Sequence, residues 1–227
     1  MTQSCFFLLF LLAQIQREHA PLDTMPINAG AATGSIKIKQ GTAEREIKAM
    51  VFDIGGTLIG HHDYVNFTES DNPIRFMNPG AFELLSFLAH EKRVKLSIAS
   101  NTRIEPNKVI ETFARMGFTE EHFVIIALSS DITIGKGKPS KFIYRVVRRA
   151  LRKTGIEPHE TLFVGDHYRN DVVKPRRFGM ATVYLAAQDK DDAAIERAHK
   201  ARCRHATFRV PDVNGLWGLA RATGLQN

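Results

Sequence analysis

The stretch Ala49-Met50-Val51-Phe52-Asp53-Ile54-Gly55-Gly56-Thr57-Leu58 decides the fold. It opens as a short run, apolar apart from Asp53, and two glycines break it sharply. Such a run reads as a buried strand. A carboxylate at the strand tip, followed by glycines that let the backbone turn close to a ligand, suits a nucleophile or a metal ligand.

Downstream the same pattern repeats. Asn78-Pro79-Gly80 starts a helix with apolar residues at helical spacing through Ala81–Ala89, and Val94–Ala99 is a second strand. Val109, Ile110, Phe113 and Met116 mark one face of the next helix. Phe123–Leu128 is a continuous apolar run of the kind buried on both faces of a parallel sheet. Ile143, Val146, Val147, Ala150 and Leu151 make one face of an amphipathic helix, and Arg145, Arg148, Arg149, Arg152 and Lys153 read as its solvated face. Leu162–Val164 and Ala181–Leu185 add strands with a short helix between them, and a strand near Thr207–Val210 and a helix around Val213–Ala222 close the chain. Alternation of this kind predicts an α/β fold, a doubly wound, Rossmann-like parallel sheet with helices on both faces. Ligands in such sheets bind outside the carboxyl ends of the strands.

Three further segments at those ends carry chemistry. Ser100-Asn101-Thr102 offers a hydroxyl and amides before a helix, an anion site or a plain cap. Gly135-Lys136-Gly137-Lys138-Pro139 holds a lysine that could neutralise phosphate or simply be solvated. Gly165-Asp166-His167-Tyr168-Arg169-Asn170-Asp171 places two carboxylates five residues apart across a strand end and a turn, a half-site for a hard cation such as magnesium.

In this order and spacing, the four segments resemble the signature of the haloacid dehalogenase superfamily, from about Ala49 to Leu185 and with no large cap domain. The resemblance implies a magnesium-dependent hydrolase of small phosphorylated substrates. Asp53 would attack phosphorus and form an aspartyl-phosphate, Ser100 would bind the phosphoryl oxygens, and Lys138 would steady both. Asp53, Asp166, Asp171 and the Gly55 carbonyl would form the Mg²⁺ site, while Gly56, Thr57 and Asn101 would contact substrate. Asp-x-Gly-Gly-Thr also opens actin-like sugar kinases, but the chain is short for one and shows no second phosphate loop.

One position departs from the family pattern. The phosphatases carry a second aspartate two residues after the nucleophile, to protonate the leaving oxygen and activate water, and here Gly55 stands there. Either His61, His62 or Asp63 in the flap substitutes, or the substrate has a good leaving group, or the protein is slow or a non-catalytic binding module. About twenty residues separate Leu58 from Asn78, and neither usual cap insertion fits.

At 227 residues, 44% apolar and 24% charged, the composition is that of one ordinary globular domain with an extension. Residues 46–227 read as the core domain. Residues 1–45 read as an extension and linker, with a short strand at Ile36–Lys39. The net charge of +7 favours anionic partners, but no stacking-aromatic or groove-reading motif accompanies it, so nucleic acid is not expected. Cys5 and Cys203 imply no disulfide framework and point to the cytoplasm. The apolar run Cys5–Ala13 is well short of the roughly 20 residues that span a bilayer, so a membrane partner is not expected. A targeting segment, a docking helix and a start codon upstream of the working chain all remain open for it, as does closure of the uncapped site by a second copy of the chain.

Overall fold

A computed structural model of the chain describes residues 36–40, 43–91, 94–131, 137–185 and 206–216. The apolar run Cys5–Ala13, Gly135-Lys136 and the closing helix beyond residue 216 lie outside the described residues. No helix among the described residues is long and apolar enough to cross a membrane.

Six strands form one parallel sheet: β3 (Ala49–Phe52), β4 (Lys95–Ser100), β5 (Phe123–Leu128), β6 (Thr161–Gly165), β7 (Ala181–Leu185) and β8 (Phe208–Val210), in the order β5-β4-β3-β6-β7-β8. The chain therefore lays strands outward from β3 in one direction, then returns to its other side. The crevice at the β3 end is the switch point where such sheets bind ligands.

The helices are α1 (Tyr64–Glu69), α2 (Ala81–Ser86, continued by a π turn to Glu91), α3 (Pro106–Arg115), α4 (Lys141–Lys153) and α5 (Lys174–Arg176). Strand alternation divides the core in two. Met50, Phe52, Leu96, Ile98, Leu162 and Val164 pack with Leu84, Leu85, Val109 and Phe113 on one face. Ala49, Val51, Ala99 and Phe163 meet Ile143, Tyr144, Val147 and Leu151 on the other. The doubly wound expectation holds, and the arginine face of α4 is solvated: Arg145, Arg149 and Arg152 are exposed, and Arg152 pairs with Glu157 at 2.9 Å.

Four local readings change. The apolar run Phe123–Leu128 forms the edge strand β5, where Phe123–Ile126 are only half-buried; continuity of apolar residues did not mean burial on both faces. Ile110 is 39% exposed, and Thr112 takes its place on the inner face of α3. The flap downstream of Leu58 contains α1, whose Phe67 is buried. The boundary at 45/46 cuts through a hairpin, because β1 (Ile36–Gln40) pairs antiparallel with β2 (Ala43–Ile47). Ile36, Ile38 and Ile47 are buried in the same core as Phe52 and Leu84, so β1 and β2 belong to the core domain. Ile36-Lys37-Ile38-Lys39 has the period of a strand, but Glu44-Arg45-Glu46 gives β2 no apolar alternation to be read by.

Candidate active site

Asp53 is the first residue past β3, and its N–H donates to the Val164 carbonyl at 3.0 Å, carrying the ladder onto β6. Asp166 is the first residue past β6. Asp171 lies in a π turn, Tyr168–Val173, which is fixed by Tyr144 Oη–H donating to the Asn170 carbonyl at 2.6 Å. One oxygen from each of the three buried carboxylates lies within 4.8 Å of the others.

Lys138, 6% exposed, enters this cluster from the α4 side. Its Nζ is 2.9 Å from Asp53 Oδ1 and 2.7 Å from Asp171 Oδ1. The Asp53 contact is an ion pair without hydrogen-bond alignment, whereas the Asp171 contact is also a hydrogen bond. Burial alone would push the Lys138 ammonium down, but the Asp171 and Asp53 charges outweigh it and hold it above its ordinary value. Among the described residues, the Lys138 ammonium touches two of the three carboxylates, and His61 Nε2 reaches the third, Asp166 Oδ2, at 3.2 Å.

A residue with no signal of its own in the sequence stands over Asp53. Tyr64, at the start of α1, accepts a hydrogen bond from Gly55 N–H at 2.9 Å and shares another with Ser100 Oγ at 2.7 Å. Burial, then the charge of Asp53, pushes its phenol up to about 12, so it is a neutral hydroxyl near neutral pH. A Cβ at Gly55 would lie 2.8 Å from Tyr64 Cε2, closer than real side-chain carbons come. A side chain at 55 would have to displace the ring of Tyr64, which already fills that space.

Two family models match: haloacid dehalogenase-like hydrolase over residues 73–173 and HAD-hydrolase-like over 135–215. The chain belongs to the haloacid dehalogenase superfamily. Solved structures similar to this superfamily member include the HAD-hydrolase YfnB from Bacillus subtilis bound to magnesium (16% identity, TM-score 0.55, 78% of this chain and 99% of that one). A HAD phosphatase from Thermococcus onnurineus aligns at 15% identity and TM-score 0.52, over 76% of this chain and 97% of that one. A 2-haloacid dehalogenase from Pseudomonas syringae pv. Tomato aligns at 14% identity and TM-score 0.52, over 78% and 99%. At these identities the likeness carries the fold alone. No curated protein matches the chain by sequence.

Within this haloacid dehalogenase site the residues singled out from sequence take different places. Asp53, Ser100, Lys138, Asp166 and Asp171 converge, with Asp53, Lys138, Asp166 and Asp171 in one cluster and Ser100 tied to it through Tyr64. Asp171 already spends both oxygens, on Lys138 Nζ and on His167 N–H at 3.1 Å, so it anchors the lysine. Three expected substrate contacts are otherwise engaged. The Gly56 N–H is taken by the Ile59 carbonyl at 2.8 Å, and Thr57 Oγ1 donates to Asp166 Oδ1 at 3.4 Å. Asn101 clamps the backbone of Lys138: its Oδ1 accepts from Lys138 N–H and its Nδ2 donates to the Lys138 carbonyl, both at 2.7 Å. These bonds position the site, and Asn101 also lines the cavity beside Lys138. Gly56 is fixed by geometry, with φ of +72° and a Cβ that would strike Asp166 and His61.

Proposed function

We propose that this chain is a magnesium-dependent phosphomonoester hydrolase that works on small phosphorylated molecules through Asp53. The single observation that carries the reading is Lys138, bridging Asp53 and Asp171 beside a third buried carboxylate, Asp166. Buried carboxylates within 4.8 Å of one another repel unless positive charge lies between them. Such an all-oxygen donor set fits a hard divalent cation. Asp53, Asp166 and the Gly55 carbonyl would hold magnesium, with Asp171 supporting them through Lys138. When bound, the ion supplies positive charge against the phosphoryl oxygens and the nucleophile.

The chain's own residues do the remainder. Asp53, held in line by its bond to Val164, forms a bond from its carboxylate oxygen to phosphorus as the ester bond breaks. Lys138, 2.9 Å from that carboxylate, orients it and offers positive charge to the phosphoryl oxygens, while Ser100 and the Gly55 N–H hold Tyr64 beside it. Water then releases phosphate and restores Asp53. The haloacid dehalogenase neighbour suggests a halide displacement as a rival. A carbon–halogen bond needs no cation, and so gives no use to Asp166 and Asp171 packed against Asp53.

The deciding experiment is turnover of para-nitrophenyl phosphate with and without magnesium, for wild type and Asp53→Asn. Turnover should require magnesium and fall by roughly 10³-fold or more in the variant. Equal turnover by Asp53→Asn, or none by wild type at millimolar magnesium, would overturn the reading and leave a binding module.

A further inference from the structure

Gly55 leaves Asp53 without a neighbouring acid, and the structure shows what stands in the vacated space. A Cβ at 55 would lie 3.1 Å from the Tyr64 hydroxyl, so that hydroxyl sits where a side chain at 55 would point. The Gly55 N–H can only donate, so it occupies an acceptor position on the Tyr64 oxygen. Either hydroxyl can donate in the 2.7 Å contact with Ser100. When Ser100 donates, the Tyr64 O–H is left to point away from both partners. Beside Tyr64 opens a cavity of about 570 Å³, walled by Val65, Ile104 and Arg103 and bounded by Lys138. Asp53 does not itself line the cavity, but the Lys138 ammonium at its edge is 2.9 Å from Asp53 Oδ1, so the cavity opens next to a phosphoryl that Asp53 would hold.

We propose, resting on the phosphoryl-transfer reading above, that Tyr64 is a catalytic hydrogen-bond donor to the oxygen leaving phosphorus, and that the substrates are phosphorylated phenols, enols or carboxylic acids, whose leaving oxygen is already acidic. A hydrogen bond from a neutral hydroxyl stabilises a departing anion, whereas an alkoxide needs a whole proton from an acid that Gly55 does not supply. The Asp53 oxygen forms its bond to phosphorus as the bond to the leaving oxygen breaks. That oxygen keeps the electron pair, leaves as its anion against Tyr64 O–H, and takes a proton from solvent. Water then adds to phosphorus as the Asp53–phosphorus bond breaks, giving phosphate and passing its proton to solvent.

The test is a series on the full chain with magnesium: para-nitrophenyl, phenyl, acetyl and glycerol phosphates, for wild type, Tyr64→Phe and Asp53→Asn. Phenylalanine keeps the ring against Gly55 and removes only the hydroxyl. Wild type should favour the aryl and acyl phosphates over glycerol phosphate by ~10²-fold or more in kcat/KM. Tyr64→Phe should lower kcat by roughly 10²-fold on phenyl phosphate, but by less than about tenfold on para-nitrophenyl phosphate. The dependence on leaving-group acidity thus steepens while KM stays in place. An equal loss across the series means a structural role and overturns the proposal. A gain in turnover means that Tyr64 merely plugs the site, and comparable use of glycerol phosphate removes the substrate class. Turnover that survives in Asp53→Asn, or is absent from wild type throughout, instead brings down the phosphoryl-transfer reading beneath it.

Discussion

Replacing Lys138 by methionine isolates the charge that holds the site together. Methionine keeps most of the stem length, so the loss is chiefly electrostatic. The variant leaves Asp171, fully buried, and Asp53, 8% exposed, without their shared counter-charge. Breaking a buried ion pair by removing one partner costs about 3–5 kcal/mol, because the partner stays desolvated and uncompensated. The ammonium also lies 5.9 Å from the centre of the Phe163 ring, a desolvated contact of about 2 kcal/mol at most at that distance, smaller than the ion-pair loss. A domain of this size loses roughly 2–4 °C per kcal/mol, so Lys138→Met should melt roughly 6–20 °C below wild type. Urea unfolding followed by circular dichroism, in a chelator so that no added cation compensates, measures the difference directly. The double variant Lys138→Met/Asp171→Asn should recover about 0.5–3 kcal/mol relative to the sum of the single changes, since Asp171 lies 2.7 Å from the lysine. A loss below about 1 kcal/mol, with no coupling to Asp171, would refute the claim that Lys138 neutralises a buried cluster.

Magnesium should stabilise the wild-type fold, by about 2.7 kcal/mol at a hundred times its dissociation constant, and a melting curve of Asp166→Asn should show no such shift; equal shifts in both would remove Asp166 from the metal site. Without metal, the same Asp166→Asn should be at least as stable as wild type in urea, because it relieves repulsion among carboxylates within 4.8 Å of one another. Gly55→Asp should destabilise the fold by about 1–3 kcal/mol through the collision with Tyr64, and adding Tyr64→Ala should relieve part of that loss; additive costs in chemical denaturation would show that the ring does not occupy the space. Ile38→Ala should cost about 2–4 kcal/mol in urea unfolding, since Ile38 is 1% exposed within the core, whereas a cost within about 0.5 kcal/mol would return β1 to the extension.

Legibility in the sequence followed the physics of each segment. Strand tips were readable because a short apolar run that ends in polar or glycine residues has few alternatives, and Asp53, Ser100 and Asp166 each sit at or one residue beyond such an end. The helix over Lys141–Lys153 was readable from its spacing, and Val146 and Ala150 are merely half-buried on the face that spacing assigned. Side-chain direction was not readable. Asn101 looked like a ligand contact and is a backbone clamp on Lys138, a pairing across 37 residues that no local pattern encodes. Tyr64 was missed for the same reason: its partners, Gly55 and Ser100, are nine and 36 residues away, and a tyrosine opening a six-residue helix has no periodic signature. A signal did exist in the glycine, since a position that lacks an expected carboxylate must be filled from elsewhere or stand open.

The convergence of the site follows from strand register more than from any single motif. Phe52 pairs with Ile98 on one side and Val164 on the other. The next residues along, Asp53, Ala99 and Gly165, therefore reach the sheet edge at one level, and Ser100 and Asp166 follow one step later. Because side chains alternate across a strand, slipping β3 by one residue would send Met50 and Phe52 out of the core they share with Leu84 and Leu85. The same slip would move Asp53 out of reach of Lys138. Burial of two large side chains thus fixes the position of Asp53. Lys138 has no strand to set its register, and the structure supplies other constraints: Asn101 grips its backbone on one side and Asp171 its ammonium on the other. Asp171 is in turn held by the Tyr144 bond to Asn170, and Tyr144 is buried in the core under α4. Asp53 is positioned by one half of the core and Lys138 by the other, so the cluster forms only when both faces of the sheet are packed.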